Sequence, residues 1–425
     1  MLKGPLARGS LFMILTTGAT GGFGYFYWLI AARLVNAESV GYTAAAMSLA
    51  TGISLVTNIG FGNYAVERLP SLEGTASWAR LLARALWPAV LLTSLVGAVL
   101  QVLIAESLLH AHGSRLWIVL ILTVAAAGLT FTSVLNFVFI SARRADLGFA
   151  LGVSLGLGKL LSLALLIVAD RSSMVLLAGW AASIVLSCGV GGLVLLPTMG
   201  HGRLMIPGLQ RPSRSDLGRV LGHHMTSIGG MLTPYLLPLV VLYRLGPVQN
   251  AYFYVTWMLG SIFFILSPSI AFALFAEGSR DVGVLASETR HAFRLISAVL
   301  PVPILAAVLG GHFVLLLFGP GYAEQGYILL VILAVAAIPD AVNNVAITVL
   351  RVRGKLHWAA ILNSAMGVMA LGGAWLALPS MGISGAGFAW FGAQVVGSIA
   401  VAPLLLRMAR RHAHDRRSTP DSARS

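Results

Sequence analysis

Twelve apolar runs fill most of this 425-residue chain, and the short segments between them differ sharply in basic charge. The runs fall near residues 10–32, 41–66, 85–105, 116–140, 147–169 and 174–196, then 225–243, 250–276, 293–317, 326–350, 356–378 and 383–406. Each is close to the ~20 residues that a membrane-spanning helix needs. With the N-terminus placed inside, 23 of the 28 Lys and Arg residues fall on inner segments and the tail. Arg33, Arg115, Arg171 and Arg244 fall outside, and Lys159 lies within the fifth run. One helix too many or too few would flip every later loop and erase this bias. The charges therefore predict an all-α polytopic membrane protein of twelve transmembrane helices, with both termini cytoplasmic, in the inner or plasma membrane. Composition agrees: 10% of residues are charged, against about 25% in soluble proteins, too few for a water-facing shell. A soluble multidomain enzyme and a disordered chain are both excluded. The formal charge of +14 is then a topological address facing anionic lipid rather than a nucleic-acid signal.

Lys3 and Arg8 precede the first run as they would in a signal peptide, but the run is too long for one and is read as a retained helix. The longest inner link, rich in Pro, Gly and Arg, divides the chain near its middle. The expected organisation is a six-helix lobe over 1–200, a basic cytoplasmic linker over 201–224, a second six-helix lobe over 225–406 and a basic cytoplasmic tail over 407–425. The halves also repeat. ARLVNAESVGYTA from Ala32 aligns with YRLGPVQNAYFYV from Tyr243 at an offset of 211, placing Arg33 on Arg244. WIVLILTVAAAGL from Trp117 aligns with YILLVILAVAAIP from Tyr327 at an offset of 210. Two six-helix halves of like topology are expected to form two bundles about a cleft, the geometry of alternating access.

Within the spans, polar residues are costly and informative. Lys159 sits deep in the fifth run, seven residues after Gly152 in the series Gly148, Gly152, Gly156, a small-residue stripe that faces other helices. It is expected to point into the bundle, either toward an anion such as a pyrophosphate or toward a structural carboxylate or carbonyl. Asp340 follows Pro339 in the tenth run, as a proton or sodium coupling site, a partner for Lys159, or a helix-to-helix acceptor. Asn136, Asn343, Asn344, Asn363, Gln394 and His312 read first as interhelical glue, with Asn136 and Asn343 also able to line a cavity. Arg33 and Arg244 flank the outer mouth, as headgroup anchors or as contacts for an anionic substrate. Gly18, Gly21, Gly22 and Gly24 in the first run, and Gly229, Gly230, Pro234 and Pro238 in the seventh, interrupt the opening helix of each half; Gly21, Gly22, Pro234 and Pro238 are the hinge candidates, with close packing the competing reading. No nucleotide-binding loop, metal-ligand spacing or nucleophile elbow occurs. The one cysteine, Cys188, lies in an apolar run and gives no disulfide framework.

Two stretches carry a resemblance: GGFGYFYWLIAARLVNAESVGYTAAAMSLATGISLVTNIGFGNYAVERLP from Gly21 and LLFGPGYAEQGYILLVILAVAAIPDAVNNVAITVLRVRGKL from Leu316. The first resembles the opening helix pair of the polysaccharide-transporter branch of the multidrug/oligosaccharidyl-lipid/polysaccharide (MOP) exporter superfamily, with its VG turn and the Arg68–Leu69–Pro70 exit. The second is similar to that branch's FGP-x-Y entry to helix 10 and the R-x-R-G turn after it. The resemblance implies a MATE-like fold of two lobes and a non-enzymatic flippase moving a polyprenyl-pyrophosphate-linked oligosaccharide to the outer leaflet for cell-surface polysaccharide synthesis. It implies a pyrophosphate-receiving cation, a role that Lys159 fits, with Arg33 and Arg244 beside it. Implied partners are the lipid-linked oligosaccharide, membrane lipids, and glycosyltransferases and a polymerase of the same pathway, without nucleic acid; no cofactor is expected beyond H+ or Na+ as a coupling ion. The alternatives are a cation-coupled multidrug exporter and, from another class, a membrane glycan polymerase or ligase. Short outer connections argue against the enzyme.

Overall fold

The computed structural model describes residues 5–58, 76–108, 115–199, 233–265, 267–271, 274 and 285–418. Twelve helical stretches follow one another in the predicted order. They are α1 (Pro5–Leu34), α2 (Ala37–Thr57), α3 (Ala76–Leu108), α4 (Arg115–Ser141), α5 (Ala145–Val168), α6 (Ser173–Met199) and α7 (Thr233–Leu245). Then come α8 (Pro247–Gly260, continued by a 3-10 turn over Ser261–Phe264), α9 (Leu285–Leu316), α10 (Pro320–Val352), α11 (Leu356–Met381) and α12 (Ser384–Ser418). Among the described residues, nine helices are long and apolar enough to cross a membrane, and Leu86–Val102 and Thr233–Leu245 are shorter apolar helices. Helices satisfy every backbone group internally, which is why an apolar chain without water adopts them. Their outward faces are correspondingly apolar: Val168 is 85% exposed and Leu376 78%. The linker 201–224, Gly229, Gly230, Arg68–Pro70 and the tail beyond 418 lie outside the described residues.

Packing divides the chain into two units, one made from the described parts of Met1–Ile228 with Pro234–Ala251, the other from those of Gly229–Thr233 with Tyr252–Ser425. In the first, α1 lies along α5, α5 along α6, and α4 is central, touching α2, α3, α5 and α6. Its aliphatic core joins Leu86 of α3 with Leu135 and Phe139 of α4, Leu151 of α5 and Leu196 of α6. Beside it, four buried hydroxyls meet: Ser54 and Thr57 of α2, Thr93 of α3 and Thr130 of α4. The Oγ–Oγ distances are 2.8 Å (Ser54–Thr130), 2.6 Å (Thr57–Thr93) and 2.9 Å (Thr93–Thr130). At the start of α2, Gly41 approaches the Pro247 carbonyl so closely that a Cβ would collide with it, and Asn250 donates to the Gly41 carbonyl at 2.8 Å. In the second unit α12 packs on α10 and α11, and α9 on α10. The FGP-x-Y stretch is the joint between α9 and α10. Gly319 takes φ 144, Pro320 opens the new helix, and Phe318 and Tyr322 are buried with ring centroids 6.1 Å apart.

The repeat is visible in the helix ends. α1 stops at Leu34 and α7 at Leu245; α5 starts at Ala145 and α11 at Leu356; α6 starts at Ser173 and α12 at Ser384, each pair 211 positions apart. The turn after the fourth helix of each half recurs in detail. Arg143 has φ 57 and Gly354 φ 71, while Arg144 N–H bonds to Phe139 O and Lys355 N–H to Leu350 O, both at 2.8 Å. These are helix terminations of the Schellman type. Equivalent positions in this register show where the two halves differ.

Candidate functional site

Among the described residues, each unit has one lysine or carboxylate deep in an apolar helix, at a place where its repeat has an uncharged residue. Lys159 corresponds to Ala370, which is fully buried in the core of the second unit. Asp340 falls on Thr130 at the offset of 210 that aligns α10 with α4. Neither charge is therefore required by the architecture that the halves share.

Lys159 lies 14 residues past Ala145, or ~21 Å along α5, and nine residues before Val168, ~14 Å from that end. A four-carbon stem does not span the longer distance and barely approaches the shorter one. Glycines hold α5 between its neighbours, as the sequence pattern anticipated. A Cβ on Gly152 would sit 3.0 Å from Thr20 Cγ2, one on Gly156 would overlap Phe23 of α1, and one on Gly158 would sit 3.1 Å from Ser183 Cβ of α6. Lys159, three residues after Gly156, is half-buried, and its ammonium has no hydrogen-bond or ion-pair partner among the described residues. The helix breaks directly beyond it. Leu163 N–H bonds to Leu160 O and Ala164 N–H to Leu161 O, tighter than α spacing, before the short segment Leu165–Val168. Non-helical backbone at membrane depth is tolerated where protein buries it or water reaches it, and an unpaired ammonium has the same requirement.

Asp340 follows Pro339, whose ring removes one hydrogen bond of α10. The freed geometry is tied down by α12: Ser398 Oγ donates to Pro339 O at 3.0 Å. Asp340 Oδ2 accepts from Ser267 Oγ at 2.8 Å and from Asn344 Nδ2 at 2.9 Å; Oδ1 accepts no hydrogen bond among the described residues. Asn344 Nδ2 also reaches Ser267 Oγ at 3.0 Å, closing a three-residue cluster. One residue away, Asn343 Nδ2 donates to Gln394 Oε1 at 2.7 Å and to Gln394 O at 2.8 Å, joining α10 to α12. Asn343, Asn344 and Gln394 thus do serve as interhelical ties. Ser267 is the member that the sequence reading missed; its signal was the serine–proline–serine break in an otherwise apolar run. The first unit has a comparable tie without a carboxylate: Asn58 Nδ2 donates to Ser133 Oγ of α4 at 3.1 Å.

The remaining candidates fall in separate places. Asn136 is half-buried against α5, its Oδ1 2.6 Å from where a Cβ on Gly148 would stand. Arg33 is exposed and Arg244 half-buried, each in the last turn of its helix, where a cation complements the helix dipole. Pro238 is buried in α7 and Pro234 half-buried near its start. Among the described residues, a Cβ on Gly18, Gly21, Gly22 or Gly24 would meet nothing within 4 Å. His312 is exposed beside Phe313 and Tyr327.

No protein-family model and no curated protein matches the sequence. Solved structures do match over nearly the whole chain. The lipid II flippase MurJ, in an inward closed conformation, is 12% identical with a TM-score of 0.74, over 94% of this chain and 90% of that one. An outward-facing multidrug resistance MATE family transporter of the MOP superfamily is 16% identical with a TM-score of 0.63, over 96% of this chain and 97% of that one. A MOP superfamily transporter from Pyrococcus furiosus, for which reverse polarity of the binding pocket suggests a different function, is 16% identical with a TM-score of 0.57, again over 96% and 97%. The likeness is one of fold, and the fold is the all-helical one shared by MATE transporters and MurJ.

Proposed function

We propose that this chain is a flippase for a polyprenyl-pyrophosphate-linked oligosaccharide, acting by alternating access of two six-helix lobes in the plasma membrane. The observation that carries the reading is Lys159: an unpaired, half-buried ammonium at membrane depth, beside a helix break, at a position where the repeat has Ala370. A cation kept there at a cost of ~2.5 kcal/mol or more needs an anion to justify it, and a pyrophosphate carries charge enough. Arg33 and Arg244 would meet the same anion near the outer mouth, and the open-faced glycines Gly21 and Gly22, with Pro234 and Pro238, would let the opening helices bend. Asp340, with one carboxylate oxygen uncommitted, would take up H+ or Na+ to couple the cycle. Substrate would come from membrane-bound glycosyltransferases and pass to a polymerase.

The test is flipping in proteoliposomes loaded with a fluorescent polyprenyl-pyrophosphate oligosaccharide. Lys159→Ala should abolish translocation, and a variant that flips like the parent would refute the assignment. A second reading, a cation-coupled multidrug exporter, is supported by the MATE fold and by Asp340. Cationic drug efflux that persists in Lys159→Ala and fails in Asp340→Asn would establish it instead.

A further inference from the structure

The two equivalent turns share a backbone but not a charge balance. After α4, Arg144 closes onto Asp146 in the first turn of α5, with Nε–Oδ1 3.0 Å and Nη2–Oδ2 2.9 Å. After α10 the same places hold Lys355 and His357, so the neutralising carboxylate is gone. Two cations appear, Arg351 where the first half has Ile140 and Arg353 where it has Ala142, and one, Arg143, gives way to Gly354. All four basic side chains are exposed, and none has an ion-pair or hydrogen-bond partner among the described residues. Beside them Trp358 and Leu356 are 54% and 50% exposed, and the His357 and Trp358 rings lie 5.3 Å apart. Cations bordering an outward-facing tryptophan fit the boundary where headgroups meet acyl chains, since an indole ring settles at that depth.

We infer that the α10–α11 turn of the second unit is a binding site for the headgroup of an anionic phospholipid. Arg351, Arg353 and Lys355 meet the phosphate, and Trp358 and Leu356 lie against the glycerol and upper acyl chain. The first unit's turn keeps a single unpaired exposed cation, Arg143, because Asp146 already occupies Arg144. A charged protein surface of this kind favours anionic over zwitterionic lipid by about fivefold per basic residue.

The experiment uses the full chain in nanodiscs of phosphatidylcholine and phosphatidylglycerol at four to one, with bromine on the acyl chains of one lipid or the other. Subtracting the Trp358→Phe variant isolates the emission of Trp358. Brominated phosphatidylglycerol should quench that emission several-fold more than its mole fraction predicts. The preference should fall by about fivefold for each charge removed in Arg353→Gln and Lys355→Gln, and stay unchanged in Arg143→Gln. Proportional quenching by both lipids would overturn the proposal, as would a preference that the double substitution leaves unreduced. Loss of the preference on adding inorganic phosphate, at constant ionic strength, would overturn the lipid in favour of a free-phosphate site. All the substituted side chains are exposed, so the variants fold.

Discussion

Arg143 and Gly354 hold the same left-handed place in the same turn, 211 positions apart, with φ 57 and 71. A side chain in that region costs ~1–2 kcal/mol, which glycine avoids. Gly354→Ala should therefore destabilise the protein by about 1 kcal/mol, while Arg143→Gly should stabilise it by up to that much. Thermal unfolding in detergent reads both, and shifts of the same sign would contradict the equivalence of the turns.

Gly41 and Gly21 should respond in opposite ways to the same added methyl group. Gly41→Ala drives a Cβ into the Pro247 carbonyl and should cost about 3 kcal/mol, visible as loss of monodisperse protein. Gly21→Ala meets open space and should gain up to ~1 kcal/mol of helix propensity. If α1 bends at this glycine, transport by Gly21→Ala falls even as its unfolding midpoint rises.

Removing the charge from Lys159 should not harm the fold. Lys159→Ala copies Ala370 and relieves an uncompensated ammonium, so its stability should equal or exceed that of the parent by up to ~2.5 kcal/mol. A lower unfolding midpoint would reveal a structural task for the lysine. This measurement is independent of the flipping assay.

Asp340 separates structure from coupling in a pair of variants. Asp340→Leu strands Ser267 and Asn344, at a cost of about 1–3 kcal/mol. Asp340→Asn leaves an oxygen for both donors and should move the unfolding midpoint little. Transport by Asp340→Asn should then lose its response to an imposed pH or sodium gradient, whereas a retained response would place the coupling elsewhere.

Much of this was legible in the sequence because membrane helices announce themselves by length, and repeats by register. The offset of 211 read from Arg33 and Arg244 reappears in three pairs of helix ends and in the α10–α11 turn. The glycine series in α5 was expected to face other helices, and its members meet Asn136 of α4 and Thr20 and Phe23 of α1, since only small residues permit that approach. What stayed hidden was short-range and polar. The serine–proline–serine break marked Ser267 only weakly, because its value depends on Asp340 arriving from a helix 73 positions later. The surroundings of Gly18 to Gly24 were also not legible on paper, since close packing and open space both favour glycine; among the described residues their Cβ positions meet no neighbour.

The hydroxyl cluster of the first unit has a deficit of hydrogens. Three contacts join Ser54, Thr57, Thr93 and Thr130 to one another, and three more run from Thr57, Thr93 and Thr130 to the carbonyls of Ile53, Ala89 and Ala126. Four hydroxyls own four protons, so six bonds cannot be made together. If the three helix-to-helix bonds form, a single proton is left for the carbonyls; if the carbonyls are served first, one interhelical bond survives. The cluster is therefore a small set of exchangeable proton arrangements with fixed oxygen positions, and it lets α2, α3 and α4 stay in register while the local dipole reverses.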